Sequence, residues 1–324
     1  MRVESNQNLS GPMSATDQAQ NKLQDWSVSL IIVNHNSGDR LVQCVRSVFA
    51  ANADLEVIVV DNATTDSSLA QLEAAFPADP RLRIIRHRDN LGFSVACNRG
   101  ADFAQGQYLL YLNPDCLIET NTISELVTTL EQDSTIGMGG GLLLNPEGTE
   151  QAGGRRLVPT PWRTFVRVFK LRRLARRYPH LFSDFNLHLR PLPDRPVEVE
   201  AISGACMLVR REALQDIGGL DEDYFLHCED LDWCMRFRQK DWKIVFVPGA
   251  RVIHFAGTCG HKRPVFVEWH KHKGMVRFYC KFFRHQYPGP VMWLILTGVW
   301  SRFGLLAGYY TVRRLGQYLR PARG

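Results

Sequence analysis

Residues 27–115 alternate short apolar runs with amphipathic stretches, and this alternation limits the possible folds more than any other feature. The stretches between the apolar runs have apolar residues at helical spacing. Strands and helices that alternate through short loops are typical of a parallel sheet covered on both faces. We therefore predict an α/β fold with strands at residues 27–33, 55–60, 82–85 and 108–112, and helices at 40–50, 64–76 and 93–104.

Two of these strands end in a carboxylate. Asp61 directly follows the second strand, and Asp115 follows the fourth strand after Asn113 and Pro114. Parallel strands end on the same side of a sheet, and open α/β sheets bind ligands at that edge. The run Asn113-Pro114-Asp115 is also an ordinary turn sequence. A turn and a ligand site are compatible interpretations, and both place Asp61 and Asp115 at one edge.

The second half of the chain carries a further acidic cluster. We predict a strand pair, or one strand with a glycine bend, over 199–210, then a helix over 211–216. An amphipathic helix follows at 230–239 and a strand at 242–247. Glu229 and Asp230 stand at the start of that helix, where acidic residues usually serve capping and the helix dipole. Carboxylates together with His254 would also suit Mg²⁺ or Mn²⁺.

The net charge of +6 is unevenly distributed, with nine Lys or Arg and no acid between Arg155 and Arg177. Such a run is either a solvated face or a contact with an anionic surface. Apolar residues such as Phe165 and Leu174 are mixed with the arginines, which favours an interfacial membrane helix. No nucleic-acid recognition motif accompanies the run, so we expect no nucleic-acid partner.

Residues 285–312 are long and apolar enough for a membrane span, yet they contain Arg302, Gly298 and Gly304. A central arginine costs roughly 3 kcal/mol on insertion scales. We therefore expect an interfacial hairpin or a half-inserted amphipathic helix rather than a span. The alternative is a buried C-terminal helix of a soluble domain.

The termini and the cysteines complete the predicted organisation. Residues 1–25 are polar, lack an apolar secretory region and are predicted to be a disordered tail. Eight cysteines show no metal-type spacing, which favours reduced thiols in a cytosolic setting. We predict a catalytic or binding domain over 26–260 and a helical, membrane-associated region over 261–324.

Several motifs together resemble one family. SLIIVNHNSGDRLVQCVRSV, EVIVVDNATTDSS, DNLGFSVACNRGA and YLLYLNPD are similar to the nucleotide-sugar half of an inverting family 2 glycosyltransferase. GGLDEDYFLHCEDLDWCMR and VPGARVIHFAGT are similar to its acceptor half. The resemblance covers residues 27–258 and implies the GT-A fold, a Rossmann-like half with a mixed central sheet, here followed by a membrane-associated helical extension. The rhamnosyltransferase-like branch, which modifies polyprenyl-linked sugars, is the most similar.

The resemblance implies a donor site and a metal site. Asp61 would accept a hydrogen bond from the imide N–H of uracil or thymine. Asp115 and His254 would bind Mg²⁺ or Mn²⁺. The other donor-binding positions would be Val33 and His35 at the nucleoside, and Asn90, Gly92, Asn98 and Asn113 near the diphosphate.

The resemblance also implies a mechanism and a location. Asp230 would be the catalytic base, with Glu229 as the second candidate. The donor would be dTDP-rhamnose or a UDP-sugar, and the acceptor a hydroxyl of a glycan or of a polyprenyl-diphosphate-linked sugar. Such an enzyme would serve cell-envelope polysaccharide synthesis in the cytoplasm, peripherally on the inner face of the cell membrane.

The chain departs from the family pattern at three places. Asn113-Pro114-Asp115 replaces the usual DxD, no QxxRW follows the base, and Asp241 replaces a common glycine. A pyrophosphorylase would need a basic phosphate loop after the first strand, and a nicotinamide-binding domain would need GxGxxG. A non-catalytic, membrane-associated nucleotide-sugar-binding adaptor remains the alternative. The joint presence of Asp61, Asp115, Asp230 and His254 argues against it.

Overall fold

The computed structural model describes residues 28–51, 54–178, 182, 185–256 and 263–318. The predicted N-terminal tail, residues 1–25, lies outside the described residues. Among them, a nine-stranded sheet forms the centre of the protein, and its first four strands in chain order are parallel and lie in the order β3-β2-β1-β4. These strands are β1 (Val28–Asn34), β2 (Leu55–Asn62), β3 (Leu82–His87) and β4 (Tyr108–Leu112).

The helices that join these strands confirm the predicted alternation. They are α1 (Arg40–Ala50), α2 (Ser68–Ala75) and α3 (Phe93–Ala101). α3 ends three residues before the predicted end, whereas β2 continues through Asp61 and Asn62. Asp61 is therefore the penultimate residue of β2 and pairs with Asn34 in register.

The sheet becomes mixed beyond β4, as the resemblance implied. β10 (Cys206–Arg210) runs antiparallel to β4 and to β6 (Ile136–Leu144). β11 (Lys243–His254) lies parallel to β6 and antiparallel to β5 (Cys116–Ile118). The remaining strands are β7 (Arg155–Arg156) and β9 (Ala201–Ile202), which pair separately, and β8 (Val197–Glu198), which pairs with β11.

Helices cover both faces of the sheet. α1, α2 and α4 (Thr122–Glu131) bury one set of side chains, including Leu41 and Leu126. α3, α6 (Arg211–Ile217) and α7 (Glu229–Gln239) bury the other set, where Trp233 packs perpendicular to Tyr111 at 5.1 Å. The core thus lies on both faces of the sheet, and a binding site can form at the carboxyl ends of its strands.

The sequence analysis did not identify β6, whose sequence is IGMGGGLLL. Glycine in a strand interior weakens the strand signal and often marks a close approach of neighbouring groups. A Cβ atom at Gly139 would lie 2.7 Å from a methyl carbon of Leu130 in α4. The glycines of β6 therefore allow a helix to pack tightly on the sheet.

The seven described cysteines are free thiols, and six of them are buried. Burial raises the pKa of the Cys44, Cys97 and Cys206 thiols, so they stay protonated near neutral pH. This agrees with the prediction of reduced cysteines that pack as small apolar residues.

The C-terminal region is a pair of helices, α8 (Pro264–Phe283) and α9 (Gly289–Tyr318). The prediction of a hairpin within 285–312 is wrong, because α9 continues through Gly298 and Gly304. Each glycine costs only about 1 kcal/mol in a helix interior, which a long helix tolerates. The stretch Gly289–Arg314 is long and apolar enough to cross a membrane, and only 6% of its most apolar window is buried. A buried C-terminal helix is therefore also excluded.

Arg302 is directed to α8. Its Nη1 lies 3.1 Å from Nε2 of the buried His272, whose Nδ1 lies 2.7 Å from the carbonyl oxygen of Glu268. His272 therefore donates from Nδ1 and accepts from Arg302 at Nε2. The charge within the apolar helix is thus held by its neighbouring helix.

Candidate active site

The carboxyl ends of β1 and β2 carry a buried polar network centred on Asn34. The Asn34 amide donates to Asp61 Oδ1 at 3.1 Å and to the Thr64 hydroxyl at 2.9 Å. It also bonds to the hydroxyl of Ser68 at the start of α2. Because buried polar groups need partners, this network holds the Asp61 carboxylate in one orientation. The sequence analysis did not identify Asn34, although its place after an apolar strand is a usable signal.

The predicted nucleoside-side residues lie at the same edge. Val33 is buried in the core, next to the half-buried His35. Nδ1 of His35 lies 2.8 Å from the carbonyl oxygen of Asn62, so Nδ1 carries the proton that is donated. His35 is therefore tied to the end of β2, one residue from Asp61.

Asn62 organises the loop that contains Asn90 and Gly92. Its amide donates to Asn90 Oδ1 at 2.9 Å and to the Gly92 carbonyl at 3.1 Å, while its Oδ1 accepts from the backbone N–H of Leu91. Gly92 has φ +88°, and a Cβ atom there would lie 2.8 Å from the Phe225 carbonyl oxygen. Only glycine fits this contact without displacement.

Asn98 has a connecting role in this structure. Its amide donates to the carbonyl of Leu220 and its Oδ1 accepts from the Leu220 N–H, both at 2.9 Å. The side chain thus joins α3 to the loop that precedes α7. Its predicted place in a donor pocket remains a prediction. Asn113 is half-buried, and its backbone N–H donates to the Ala205 carbonyl at 3.0 Å.

The predicted metal ligands lie together. β5 pairs with β11 so that Cys116 is opposite His254, which brings His254 Nε2 to 3.4 Å from Asp115 Oδ1. Asp115, Cys116 and His254 offer ligand atoms within 4.8 Å of one another. The Cys116 thiol donates to the Ala205 carbonyl, and burial raises its pKa, so it stays protonated. A carboxylate and an imidazole fit a hard divalent cation that takes its other ligands from phosphate and water, so Asp115 and His254 remain the candidate ligands.

Asp230 lies in the first turn of α7. Its Oδ2 accepts from the Gly204 N–H at 3.1 Å and forms an ion pair with Arg156, while Oδ1 accepts from the Leu231 N–H at 2.7 Å. A carboxylate oxygen has two lone pairs, so Oδ1 can still accept a proton from a second donor. The chain enters α7 through His227 and Cys228, which both have positive φ. Such backbone strain is typical of functional sites.

Glu229 differs from its neighbour. It is 7% exposed, and its Oε2 is enclosed without a hydrogen-bond partner. Burial, and then the charge of Asp230, raise the pKa of Glu229 to about 8. Glu229 therefore carries a proton near neutral pH, which leaves Asp230 as the stronger candidate for a base.

Three arginines of the basic run form ion pairs with acidic residues. Arg155 pairs with Glu150 at 2.7 Å, Arg163 with Glu200 at 2.6 Å, and Arg156 with Asp230. The prediction of a continuous solvated or anion-binding face is wrong for these three arginines, because they are drawn inward to acidic partners. The sequence analysis missed Arg156, since its partner lies 74 residues further along the chain.

The sequence matches two family models and a curated relative. The family model described as glycosyl transferase family 2 matches residues 29–218, and that of glycosyl transferase family group 2 matches residues 160–309. Over 278 residues the chain is 26% identical to N-acetylglucosaminyl-diphospho-decaprenol L-rhamnosyltransferase of Mycobacterium tuberculosis (strain ATCC 25618 / H37Rv). That match covers 82% of this chain and 88% of the relative.

Two solved structures share the fold. The crystal structure of GalNAc-T7 with UDP, GalNAc and Mn²⁺ superposes with a TM-score of 0.53 at 21% identity, covering 71% of this chain and 44% of that one. The mannosyltransferase PcManGT from Pyrobaculum calidifontis, in complex with GDP-Man and Mn²⁺, superposes with a TM-score of 0.54 at 17% identity. That match covers 87% of this chain and 71% of the mannosyltransferase chain. At these identities the likeness establishes the GT-A fold.

Proposed function

The chain belongs to glycosyl transferase family 2 and has the GT-A fold, and from this premise we propose that it transfers a sugar with inversion. The donor is dTDP-rhamnose or a UDP-sugar, and the acceptor is a hydroxyl of a glycan or of a polyprenyl-diphosphate-linked sugar. The observation that carries the proposal is the presence of Asp115, His254 and Asp230 on elements joined by one turn, residues 203–205.

Asp230 accepts the proton of the acceptor hydroxyl in this proposal. The hydroxyl oxygen then bonds to the anomeric carbon while the bond from that carbon to the diphosphate oxygen breaks. The nucleoside diphosphate leaves with the electron pair, and the configuration inverts. Asp115 and His254 would hold Mg²⁺ or Mn²⁺, and the ion would supply neutralisation of the charge on the diphosphate.

The donor assignment rests on Asp61. Its carboxylate is held by Asn34 at the end of β2 and would accept from the imide N–H that uracil and thymine share. His35, Asn90, Gly92 and Asn113 lie at the same edge and would surround the rest of the nucleotide. The name of the mycobacterial relative supports a rhamnosyl donor and a polyprenyl-diphosphate-linked acceptor. We propose that the product serves cell-envelope polysaccharide synthesis.

A polyprenyl-linked acceptor would lie in a membrane, and two regions of the chain expose apolar side chains that fit a membrane surface. α5 (Pro161–Val168) exposes Trp162 and Phe165, which stack at 5.5 Å. α9 exposes further apolar side chains, including Leu305, which is 78% exposed. The Tyr279 hydroxyl of α8 donates to the Thr164 hydroxyl of α5 at 2.7 Å, which joins the two regions. We propose that 261–324 and α5 hold the enzyme peripherally on an anionic membrane surface, on its cytoplasmic side.

The test is donor hydrolysis and transfer by the purified chain with a panel of UDP-, dTDP- and GDP-sugars, with and without Mn²⁺ or Mg²⁺. A polyprenyl-diphosphate-linked N-acetylglucosamine serves as acceptor, and Asp230→Asn as the control. Metal-dependent release of UDP or dTDP that is lost in the variant is the expected result. Absence of turnover across the panel, with nucleotide-sugar binding retained, would favour the adaptor alternative instead. Absence of nucleotide binding as well would count against both.

A further inference from the structure

Gln151 has no role in the chemistry proposed above, yet both polar atoms of its side chain form hydrogen bonds, two of them to the candidate metal ligand His254. It follows β6 after a tight turn in which the Asn145 N–H donates to the Thr149 carbonyl at 2.8 Å. The Gln151 N–H donates to the Leu143 carbonyl at 2.8 Å, which fixes its backbone on the end of the strand. The side chain therefore extends from a backbone segment that is hydrogen-bonded to β6.

The orientation of the Gln151 amide follows from its partners. Its nitrogen lies 3.3 Å from the backbone carbonyl oxygen of His254, which can only accept, and 3.1 Å from Asn145 Oδ1. The amide oxygen is then the atom that lies 2.7 Å from His254 Nδ1. An amide oxygen can only accept, so Nδ1 must carry a hydrogen. In the neutral ring, Nε2 then has a lone pair, and this atom lies 3.4 Å from Asp115 Oδ1.

We propose that Gln151 is a positioning residue that holds His254 in its Nδ1–H tautomer and presents Nε2 to a divalent cation shared with Asp115. This inference rests on the proposed metal site. The lone pair of the neutral ring and the carboxylate oxygen repel each other at this distance, and either a proton on Nε2 or a cation between the two atoms removes the repulsion. Hydrogen bonds to the remote nitrogen of a ligating histidine fix its tautomer and orientation, and their loss costs about 10- to 100-fold in metal affinity.

A purely structural role for Gln151 predicts different behaviour. In that case its bonds would only tie the turn to β11, and their loss would lower the melting temperature without changing the histidine or metal binding. The turn offers a matched control, because Asn145→Ala removes a partner of the Gln151 nitrogen and leaves the oxygen on His254.

The experiment measures Mn²⁺ binding to the full chain by electron paramagnetic resonance of the free ion. We expect Gln151→Met, which keeps the volume but has no amide oxygen, to weaken the Kd for Mn²⁺ at least tenfold. Gln151→Glu and Asn145→Ala are expected to stay within about threefold of the unsubstituted chain. Equal Kd values for Gln151→Met and the unsubstituted chain would overturn the inference, whatever happens to the melting temperature.

A second measurement does not depend on the variants folding. Nitrogen-15 NMR of the histidine rings should show His254 of the unsubstituted, metal-free chain with its hydrogen on Nδ1, and finding it on Nε2 alone would refute the inference. Asp115→Ala separates this inference from the metal site itself. If Asp115→Ala leaves Mn²⁺ binding intact, the site is wrong. If it abolishes binding while Gln151→Met does not, only the role of Gln151 is wrong.

Discussion

Gly204 donates its backbone N–H to Asp230 Oδ2 over 3.1 Å. The next residue, Ala205, accepts from the backbone N–H of Asn113, two residues before Asp115. One short turn between β9 and β10 thus holds the candidate base and the strand tip with the candidate metal ligand. The backbone of this turn therefore links residues from the two halves of the chain, as the proposed single-step displacement would require.

The two acidic residues at the start of α7 should differ in their contribution to turnover. We expect Asp230→Asn to lower kcat by about 10²- to 10⁴-fold, because the amide cannot take the acceptor proton. Glu229→Gln should lose less than tenfold, since the carboxyl that it replaces is already neutral. Steady-state kinetics with a donor identified from the panel measure both effects. A larger loss in Glu229→Gln than in Asp230→Asn would assign the base to Glu229.

Removal of the metal should stop transfer reversibly. Chelation with EDTA is expected to abolish activity, and Mn²⁺ or Mg²⁺ should restore it, because two protein ligands do not hold the ion tightly. Asp115→Ala should leave less than about 1% of the activity at saturating metal, since the diphosphate charge is no longer neutralised. Thr149→Ala, on a nearby turn, serves as the control. Full activity in EDTA would contradict the metal assignment.

Glu229 should make stability depend on pH. Its pKa rises from 4.5 to about 8 on folding, so the folded state binds more protons than the unfolded state between these values. The free energy of unfolding should therefore fall as pH rises through this window, by an amount on the order of a few kcal/mol. Glu229→Gln removes this dependence. Thermal unfolding of both proteins from pH 5 to 9 measures it, and parallel curves would show that Glu229 titrates normally.

Gly92 should be the more sensitive of two glycines with similar backbones. Gly92 has φ +88° and would place a Cβ atom 2.8 Å from Phe225, whereas Gly148 has φ +85° and open space around it. Gly148→Ala should therefore cost about 1 kcal/mol through backbone strain alone. Gly92→Ala should cost more and also weaken nucleotide binding. Chemical denaturation and nucleotide titration test this, and equal behaviour of the two variants would mean that the Phe225 contact is easily displaced.

Membrane binding should depend on the exposed face of α9. Replacing Trp293, Leu294 and Leu305 by serine removes side chains that are 63% to 78% exposed. Because each buried CH₂ contributes about 0.8 kcal/mol, the variant should lose at least 100-fold in affinity for anionic vesicles. Phe103→Ser, which removes an exposed aromatic residue outside α5, α8 and α9, is the control. Flotation that is unchanged in the triple variant would contradict the proposed surface.

Local patterns in the sequence determined much of this protein. Short continuous apolar runs define β1, β2 and β4, because helices cover both faces of these strands, and apolar residues at a spacing of 3.6 define α1 and α7. The positions of Asp61 and Asp115 at one edge follow from the rule that parallel strands end together. The motif resemblance predicted the family and the GT-A fold, which the comparisons confirm.

Tertiary structure alone decided the contacts that orient these groups. Arg156 meets Asp230 across 74 residues and Gln151 meets His254 across 103, so no local period encodes either pair. β6 was missed because its glycines serve contacts with other elements, such as Leu130, and weaken the strand pattern. The continuity of α9 was also missed, since glycine is a weak breaker and Arg302 is held by His272 from another helix. Short-range periodicity specifies which face of an element is buried, whereas polar partners depend on how distant elements pack.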